Sequence, residues 1–195
     1  MPSAIETATN ERSRLSATDW EQAALQLIAD EGISALAIDA LARRLGVTKG
    51  SFYWHFRSRD ALLFAALERW QHHGEDTLLT QITAIGEPRE RLRQLFLRVA
   101  GEKLSHRVHA ALLNAMEQPR VRAAVELAAR RRLDILTDAY RQTGLAEADA
   151  LNSARLAYAA YVGFLQLGRM HDVERLSHDE MSAYVDHVIQ ALIPE

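Results

Sequence analysis

The segment GVTKGSFYWHFRSR, residues 46–59, has the residue types of a surface that binds nucleic acid. It places four aromatic side chains within five positions, beside a histidine. Between residues 40 and 59 the chain has five basic side chains and no acidic one, although its net charge is −3. Such a local cationic patch would attract phosphates even without a basic charge over the whole protein.

Helical spacing divides the aromatic side chains into two sets. Phe52 and Phe56 are four residues apart and share one face of a helix, so we predict that both belong to the hydrophobic core. Gly50, Ser51 and Trp54 lie on roughly the opposite side, where they would face a partner. The segment therefore predicts a short helix with a packed face and a binding face.

The binding face offers the groups that DNA recognition requires. Hydroxyl groups and cations would hold phosphate oxygens, and the first turn of the helix would read base edges in the major groove. Gly50 carries no side chain, so groove atoms can approach the backbone there. The alternative is a helical subdomain whose exposed aromatic patch contacts another protein. The residues whose chemistry predicts DNA contact are Arg44, Thr48, Lys49, Gly50, Ser51, Tyr53, Trp54 and Arg59.

A helix-turn-helix unit would position these residues. Helical periodicity covers residues 38–45 and 49–56, and Gly46 lies where the first of these helices ends and a left-handed backbone is needed. Ala42 lies in the middle of that helix, where a small side chain allows the next helix to cross closely. The sequence thus predicts a compact head of three helices within residues 16–60.

Helical periodicity also dominates the rest of the chain, and strand alternation is nearly absent. Thr18 and Glu21 have the spacing of a capping box for a first helix that ends at Gly32. We predict an all-α protein of about nine helices, with a flexible arm over residues 1–15 and a larger helical body over residues 61–195. The further helices are predicted over residues 58–83, 90–105, 108–117, 120–143, 147–171 and 177–193, with Ser58 capping the first of these and Ser177 with Glu180 the last.

Composition narrows the classes of function. The chain has 195 residues, 48% of them hydrophobic, so it can bury a core, and it has no cysteine, which excludes disulfides, thiolate metal sites and cysteine nucleophiles. The first twenty residues lack the apolar run of a signal peptide. The longest uncharged apolar stretch, residues 156–168, is shorter than the roughly 20 residues of a membrane span. We therefore expect a cytoplasmic protein that does not enter a membrane.

Sequence signatures of catalysis are missing. The HExxH, GxSxG and P-loop patterns do not occur, so we expect no enzymatic activity. A helical enzyme or carrier whose head is incidental, and an adaptor that binds protein through the aromatic face, are the two alternatives to a DNA-binding regulator.

Residues Gly32–Leu62, GISALAIDALARRLGVTKGSFYWHFRSRDAL, resemble the head of the TetR family of bacterial transcriptional regulators. The matching features are Gly-Val, the Lys-Gly pair, the aromatic pair before His-Phe, and the basic residue before the fourth helix. The resemblance covers about residues 16–65, and the remainder is similar only in length and helical layout.

The resemblance implies a homodimer in which the body binds a small-molecule effector and forms the dimer. Most members repress transcription from a palindromic DNA operator and release it when the effector binds, and a transcriptional activator of the same fold is the alternative. No cofactor is implied. The resemblance also implies DNA contacts, mostly to phosphates, at Lys49, Tyr53, Trp54, His55 and Arg59.

This chain departs from the family pattern before the second helix. Leu36 and Ala37 stand where the family often has a Thr or Ser that caps the helix and touches phosphate. The missing cap costs about 1 kcal/mol. Asp39 in the first turn offsets part of this cost through its interaction with the helix dipole.

The two last helices are predicted to form the dimer. Residues 154–168 are apolar on too many faces for a helix exposed to solvent. Pairing with its own copy and with the last helix would bury this excess in a four-helix interface, whereas a helix buried in the centre of one subunit is the alternative. The apolar side chains concerned are Leu156, Tyr158, Tyr161, Phe164 and Leu165, together with Met181, Tyr184, Val185, Val188 and Leu192.

An effector pocket would lie between the fourth and eighth helices. Its predicted lining consists of large side chains, each of which could equally be ordinary core. These residues are Trp70, Phe96, Met116, Tyr140 and Phe164.

The histidines could bind a metal, and one run of arginines could contact an anion. His106 and His109 could chelate a metal, but no nearby carboxylate or cysteine completes a site. The adjacent His72 and His73 point about 100° apart on a helix, so they are poor joint ligands. We therefore expect no metal. The run of arginines at 130–132 is assigned to a solvated face, with contact to an anionic ligand or DNA as the second interpretation.

Overall fold

The computed structural model describes residues 15–72, 84–167 and 176–193. In these ranges the regular structure is α-helical apart from a short 3-10 turn at Ile33–Ala35, which confirms the all-α prediction. Some of the predicted features lie at least partly outside the described residues. They are the arm, the end of the fourth helix, His73 and the last residues of the 147–171 helix. The helices are α1 (Ala17–Glu31), α2 (Ile38–Leu45), α3 (Lys49–Tyr53), α4 (Arg59–His72), α5 (Pro88–Gly101), α6 (Lys103–Leu113), α7 (Pro119–Gln142), α8 (Glu147–Leu167) and α9 (His178–Leu192).

The first helix begins two residues earlier than predicted. Ser16, not Thr18, is its N-cap: the Ser16 backbone N–H donates to the Asp19 carboxylate over 2.7 Å, and the Asp19 N–H donates to the Ser16 hydroxyl over 3.3 Å. Asp19 takes the place of Glu21 because it lies at the third helical position after Ser16. The hydrogen bonds that the Asp19 carboxylate accepts from the Ser16 N–H and the Ser16 hydroxyl hold the pKa of Asp19 below its usual range.

The turn between α2 and α3 matches the prediction at its first end. Gly46 has a φ of 67°, the left-handed conformation, and the Val47 N–H donates to the Ala42 carbonyl over 3.0 Å. The C-terminal end of α3 differs from the prediction. Helix α3 stops at Tyr53, three residues before the predicted Phe56. The chain then bends so that the Ser58 hydroxyl accepts from the Ala61 N–H over 3.1 Å and caps α4, as predicted.

The segment before α2 is held by a side chain from α4. Ala37 makes no capping bond, in agreement with the sequence, and the preceding Leu36 is buried in the core. Arg59 donates from Nε to the Leu36 carbonyl over 2.6 Å and from Nη2 to the Ile33 carbonyl over 3.1 Å. The guanidinium therefore satisfies two carbonyls of the 3-10 turn region and ties it to the start of α4.

The head and the body share one hydrophobic core. Trp20 and Ile28 of α1 belong to the same buried cluster as Phe52 of α3, Val108 of α6 and Val125 of α7. Helix α1 packs against both α4 and α6, so the boundary predicted near residue 60 falls inside a continuous core rather than at a linker.

A second cluster holds the far end of the body together. Leu92 and Leu95 of α5 pack with Tyr140 of α7 and with Ala150 and Ala154 of α8. The Tyr140 hydroxyl donates to the Leu192 carbonyl over 2.8 Å, which anchors the end of α9. Burial raises the pKa of Tyr140 to about 12.

The observed ends of α5 and α6 differ from the predicted ones by two to five residues. The Glu87 side chain caps α5 by accepting from the N–H groups of Arg89 and Glu90, and the helix ends at Gly101 rather than at 105. Glu102 then takes a non-helical backbone conformation, and α6 starts at Lys103 instead of 108. None of the helices in the described ranges is both long and apolar enough to cross a bilayer.

Replacing Arg59 by alanine should lower the free energy of unfolding by about 1–2 kcal/mol, because two carbonyls lose their charged donor. Arg57→Ala is the matched control, since Arg57 is exposed and its removal should change stability by less than about 0.5 kcal/mol. Urea unfolding of both variants measures the difference. Equal stabilities for the two variants would show that the Arg59 hydrogen bonds do not hold the head.

Candidate nucleic-acid interface and internal cavity

The aromatic side chains of the head divide as their spacing predicts. Phe52 and Phe56 are buried, and the Phe52 ring meets the Trp20 ring edge-on at 5.4 Å between centroids. Tyr53 is 55% exposed and Trp54 is 82% exposed. The Tyr53 ring also meets the edge of Phe52 at 5.2 Å, so the core orients this exposed side chain.

The outer side of α3 is open at Gly50. A methyl group built there would meet only the Thr48 hydroxyl oxygen, at 3.6 Å, which is ordinary van der Waals contact. The Thr48 side chain does not cap α3, although Thr48 is the N-cap residue. Packing within the protein therefore does not require a glycine at position 50. A binding partner that approaches the backbone closely there would require one.

The predicted DNA-contacting cations are engaged in exposed ion pairs in the free chain. Arg44 contacts the Asp30 carboxylate at 2.6 Å, and Lys49 contacts the Asp39 carboxylate at 3.2 Å. Arg59 is committed more firmly, through the two carbonyls near α2. Exposed pairs contribute little to stability, so phosphate can replace the carboxylates of the first two. Among the residues predicted to contact DNA, Ser51 is half-buried. The exposed ones include Thr48, Lys49, Gly50, Tyr53, Trp54 and His55.

Asp30 connects the head to the body. Its carboxylate accepts from Arg44 of α2 and also from Arg107 of α6, the latter over 3.0 Å. The Arg44 hydrogen bond, supported by Gln26 and Arg107, holds the pKa of Asp30 below its usual range. One carboxylate on α1 thus links the two helices on either side of it.

A cavity of about 310 Å³ lies within the body, between α5, α6, α7, α8 and α9, and the end of α4 closes one side. Of the residues predicted to bind an effector, Trp70, Phe96 and Phe164 line this cavity. Met116 and Tyr140 do not, and the prediction is corrected for both. Met116 packs against the cluster shared with the head, and Tyr140 is fully buried in the second cluster.

Arg132, which was assigned to a solvated face, instead lines the cavity. Its guanidinium carbon lies 5.1 Å from the centre of the Trp70 ring and 5.9 Å from that of Tyr161. The spacing of Val125, Ala128 and Arg132 along α7 gave a signal, because residues three and four apart share a helix face and the first two are buried. Of the other two arginines in the run, Arg130 is exposed, whereas Arg131 is half-buried and its Nη1 donates to Nδ1 of His72 over 3.0 Å.

Two histidines lie beside Arg132. Arg132 donates to Nδ1 of His109 over 3.0 Å, which places the His109 proton on Nε2. Burial, with the charge of Arg132, lowers the pKa of His109 to about 3, so the ring is neutral. Burial also lowers the pKa of His106, whose Nε2 is buried without a hydrogen-bond partner in the described structure.

The described residues hold no group of three histidine, aspartate or glutamate side chains close enough to bind a metal. His106 and His109 are also next to the Arg132 cation, which would repel a metal ion.

The two last helices divide their apolar residues between the cavity and the surface. Met181, Tyr184, Val185 and Val188, predicted to form the dimer, line the cavity, and Tyr184 stacks on Phe164 at 4.9 Å between ring centres. Tyr158, Tyr161 and Phe164 line it too, Leu165 is buried, and Leu192 packs against the second cluster. The exposed apolar stripe on α8 consists of Leu156, Ala159, Gly163 and Leu167.

Comparison with known proteins agrees with this geometry. The sequence profile of the bacterial regulatory proteins of the tetR family matches residues 22–66, which include the helix-turn-helix unit. The HTH-type transcriptional regulator SrpR of Pseudomonas putida is 42% identical over 50 residues, 26% of this chain and 24% of that protein. The tetracycline repressor protein class A of Escherichia coli, from transposon 1721, is 47% identical over 47 residues, 24% of this chain and 22% of that protein. The chain therefore matches about a quarter of the length of these relatives.

The likeness in fold extends over the body. A transcriptional regulator from Saccharomonospora viridis, solved in complex with choline, superposes with a TM-score of 0.77 at 22% identity. The superposition covers 92% of this chain and 97% of that one. Head and body together thus have the fold of that regulator.

Stability should fall as the pH is lowered from about 6.5 towards 5, because the folded His109 pKa of about 3 lies below the unfolded value of 6.5. Only the unfolded state then takes up the proton, which costs up to about 1.4 kcal/mol per pH unit for this group, with His106 acting in the same direction. Urea unfolding across this range should give a smaller slope for His109→Gln than for wild type. Exposed His187→Gln is the control, and an unchanged slope in His109→Gln would contradict the neutral, buried ring.

Proposed function

The chain belongs, through its head, to the tetR family of bacterial regulatory proteins, and on this premise we propose that it is a ligand-responsive transcriptional repressor. It would bind a palindromic DNA operator as a homodimer in the cytoplasm and release it when a small molecule fills the body cavity. The observation that carries the proposal is the exposed face of α3, with its open Gly50 and exposed Trp54.

DNA contact is supported by the composition and the exposure of the head. Thr48, Lys49 and Tyr53 are exposed at the start and on one face of α3, where hydroxyl groups and a cation would bind phosphate. The major groove admits a helix whose first turn reaches base edges, and Gly50 lets the backbone approach them. Arg59 would position the head through its carbonyl contacts and act on phosphate only secondarily.

The exposed stripe of α8 supports a homodimer. Leu156 is 60% exposed, and Gly163 has nothing near its missing Cβ, so a second helix can approach closely there. A twofold axis at this stripe would place α8 against its copy with α9 alongside, and would set two heads on DNA about 34–36 Å apart.

The cavity is connected to the head through α4. Arg59 at its start holds the turn before α2, and Trp70 near its end forms part of the cavity wall. Gln71 donates to the Ala124 carbonyl of α7 over 2.9 Å in a buried contact. A ligand that shifts Trp70 would therefore tilt the head, and a coupling of about 1–3 kcal/mol changes DNA affinity about 5–150-fold.

Repression is favoured over activation because the tetracycline repressor, 47% identical over 47 residues, is named as a repressor. The same geometry serves an activator if the promoter places the operator where bound protein recruits polymerase. No enzymatic role is proposed, because the curated relatives above are named as transcriptional regulators or repressors.

Gly50→Ala should weaken binding to the duplex that flanks the chain's own gene by about tenfold or more, because a methyl group would enter the groove contact. The fold should be unchanged or more stable by up to about 1 kcal/mol, since alanine favours a helix. Gly101→Ala, also in open space at the end of a helix, is the matched control. Fluorescence anisotropy measures DNA affinity, and wild-type affinity in Gly50→Ala would reject the α3 face as the DNA surface.

Leu156→Glu should raise the dimer dissociation constant by at least about tenfold, because symmetry buries the new charge twice in one interface. Leu127→Glu is the matched control, since Leu127 is also an exposed leucine, at 43%, but lies on α7. Sedimentation velocity over a concentration series separates monomer from dimer. A dimer that tolerates Leu156→Glu and is disrupted by Leu127→Glu would place the interface elsewhere.

A further inference from the structure

Arg132 carries a charge that no carboxylate neutralises in the described structure. None of the ion pairs found within residues 15–72, 84–167 and 176–193 involves it. Its partners are neutral: the His109 Nδ1, the Tyr158 hydroxyl and the faces of Trp70 and Tyr161. A half-buried guanidinium without a counter-ion is costly, unless a ligand supplies one.

The other charged side chains of the cavity wall are also mostly positive. Arg98 and Lys103 line it together with Arg132, against the single carboxylate of Glu102 among the described lining residues. Arg98 has a partner of its own. A cationic ligand would enter against this field, whereas an anion would be attracted.

Most of the remaining wall is apolar. Leu95, Phe96, Val99 and Leu136 face the cavity from α5 and α7, and Phe164 faces it from α8. A cavity of about 310 Å³ whose wall combines these apolar side chains with the Arg132 guanidinium suits a compact molecule with a hydrocarbon body and a single polar end.

We propose that the effector is an amphiphilic monocarboxylate, whose carboxylate pairs with Arg132 between the Trp70 and Tyr161 rings while its hydrocarbon body lies among the apolar side chains. The guanidinium fork matches the two oxygens of a carboxylate, and its aromatic neighbours fix its plane. The inference rests on the proposed function only in taking the cavity as the effector site.

The test compares ligands that differ only in charge. Isothermal titration calorimetry of the full-length protein is carried out with 1-naphthoate and octanoate, with the neutral amides of both acids, and with octyltrimethylammonium as the cation. Each carboxylate that fits should bind at least about tenfold more tightly than its amide, because charge-assisted hydrogen bonds exceed neutral ones by that factor or more. The two hydrocarbon bodies distinguish a ring from a chain.

Variants assign the preference to Arg132. Arg132→Gln should bring the carboxylate-to-amide affinity ratio to near one while leaving amide binding within about threefold. Arg132→Lys should give an intermediate ratio, because the charge remains and the fork is lost. Arg130→Gln, an exposed arginine two positions away, is the matched control and should keep the wild-type ratio. If Arg132→Gln does not fold, the wild-type ratio and Arg132→Lys decide.

Equal affinity for acid and amide, tighter binding of octyltrimethylammonium, or no binding of either acid at millimolar concentration would overturn the inference. So would a carboxylate preference that persists in Arg132→Gln. DNA binding of the same wild-type preparation is measured without ligand: if it is retained while the carboxylate preference fails, the proposed regulator stands and only its effector class is wrong. Loss of both would reject the proposed function itself.

Discussion

The continuous core formed by α1, α4 and α6 is the constraint on which the rest of the structure depends. Ile28 of α1, Leu62 of α4 and Val108 of α6 are buried in one cluster, so the head is not a separate module on a linker. Close-packed interiors transmit displacement rather than absorb it. A change at the Trp70 end of α4 must therefore be met either by a shift of the head or by a cavity in the core, which is costly.

Two arginines show how environment decides the role of one residue type. Arg59 has its guanidinium satisfied by backbone carbonyls, and its contribution is to hold the head together. Arg132 has neutral and aromatic partners, and its charge remains available at the cavity wall. Asp30 adds an exposed link, since Arg44 and Arg107 share its carboxylate across α1. Arg59 thus stabilises the head, Arg132 gives the cavity wall a positive charge, and Asp30 connects the head to the body.

Local signals allowed the head to be predicted closely, and long-range packing limited the prediction of the body. Gly46 ends α2 where its backbone freedom requires, and four-residue spacing correctly buries Phe52 and Phe56. The placement of Tyr140 depends on the carbonyl of Leu192, 52 positions away, which no local pattern contains. The charge of Arg132 favours a solvated face, whereas its helical spacing from Val125 and Ala128 places it on the apolar face of α7. Ser16 and Thr18 both have an acid three residues on, so spacing alone could not choose the cap.

We expect a ligand that fills the cavity to change the affinity of the head for DNA. A labelled duplex from the region flanking the gene is titrated with wild-type protein, and its fluorescence anisotropy measures the DNA affinity. The titration is repeated with the tightest-binding carboxylate at saturation. We expect salt-sensitive, sequence-preferring binding that weakens about 5–150-fold when the ligand is present. Binding that is absent, indifferent to sequence, or unchanged by a ligand known to occupy the cavity would contradict this expectation.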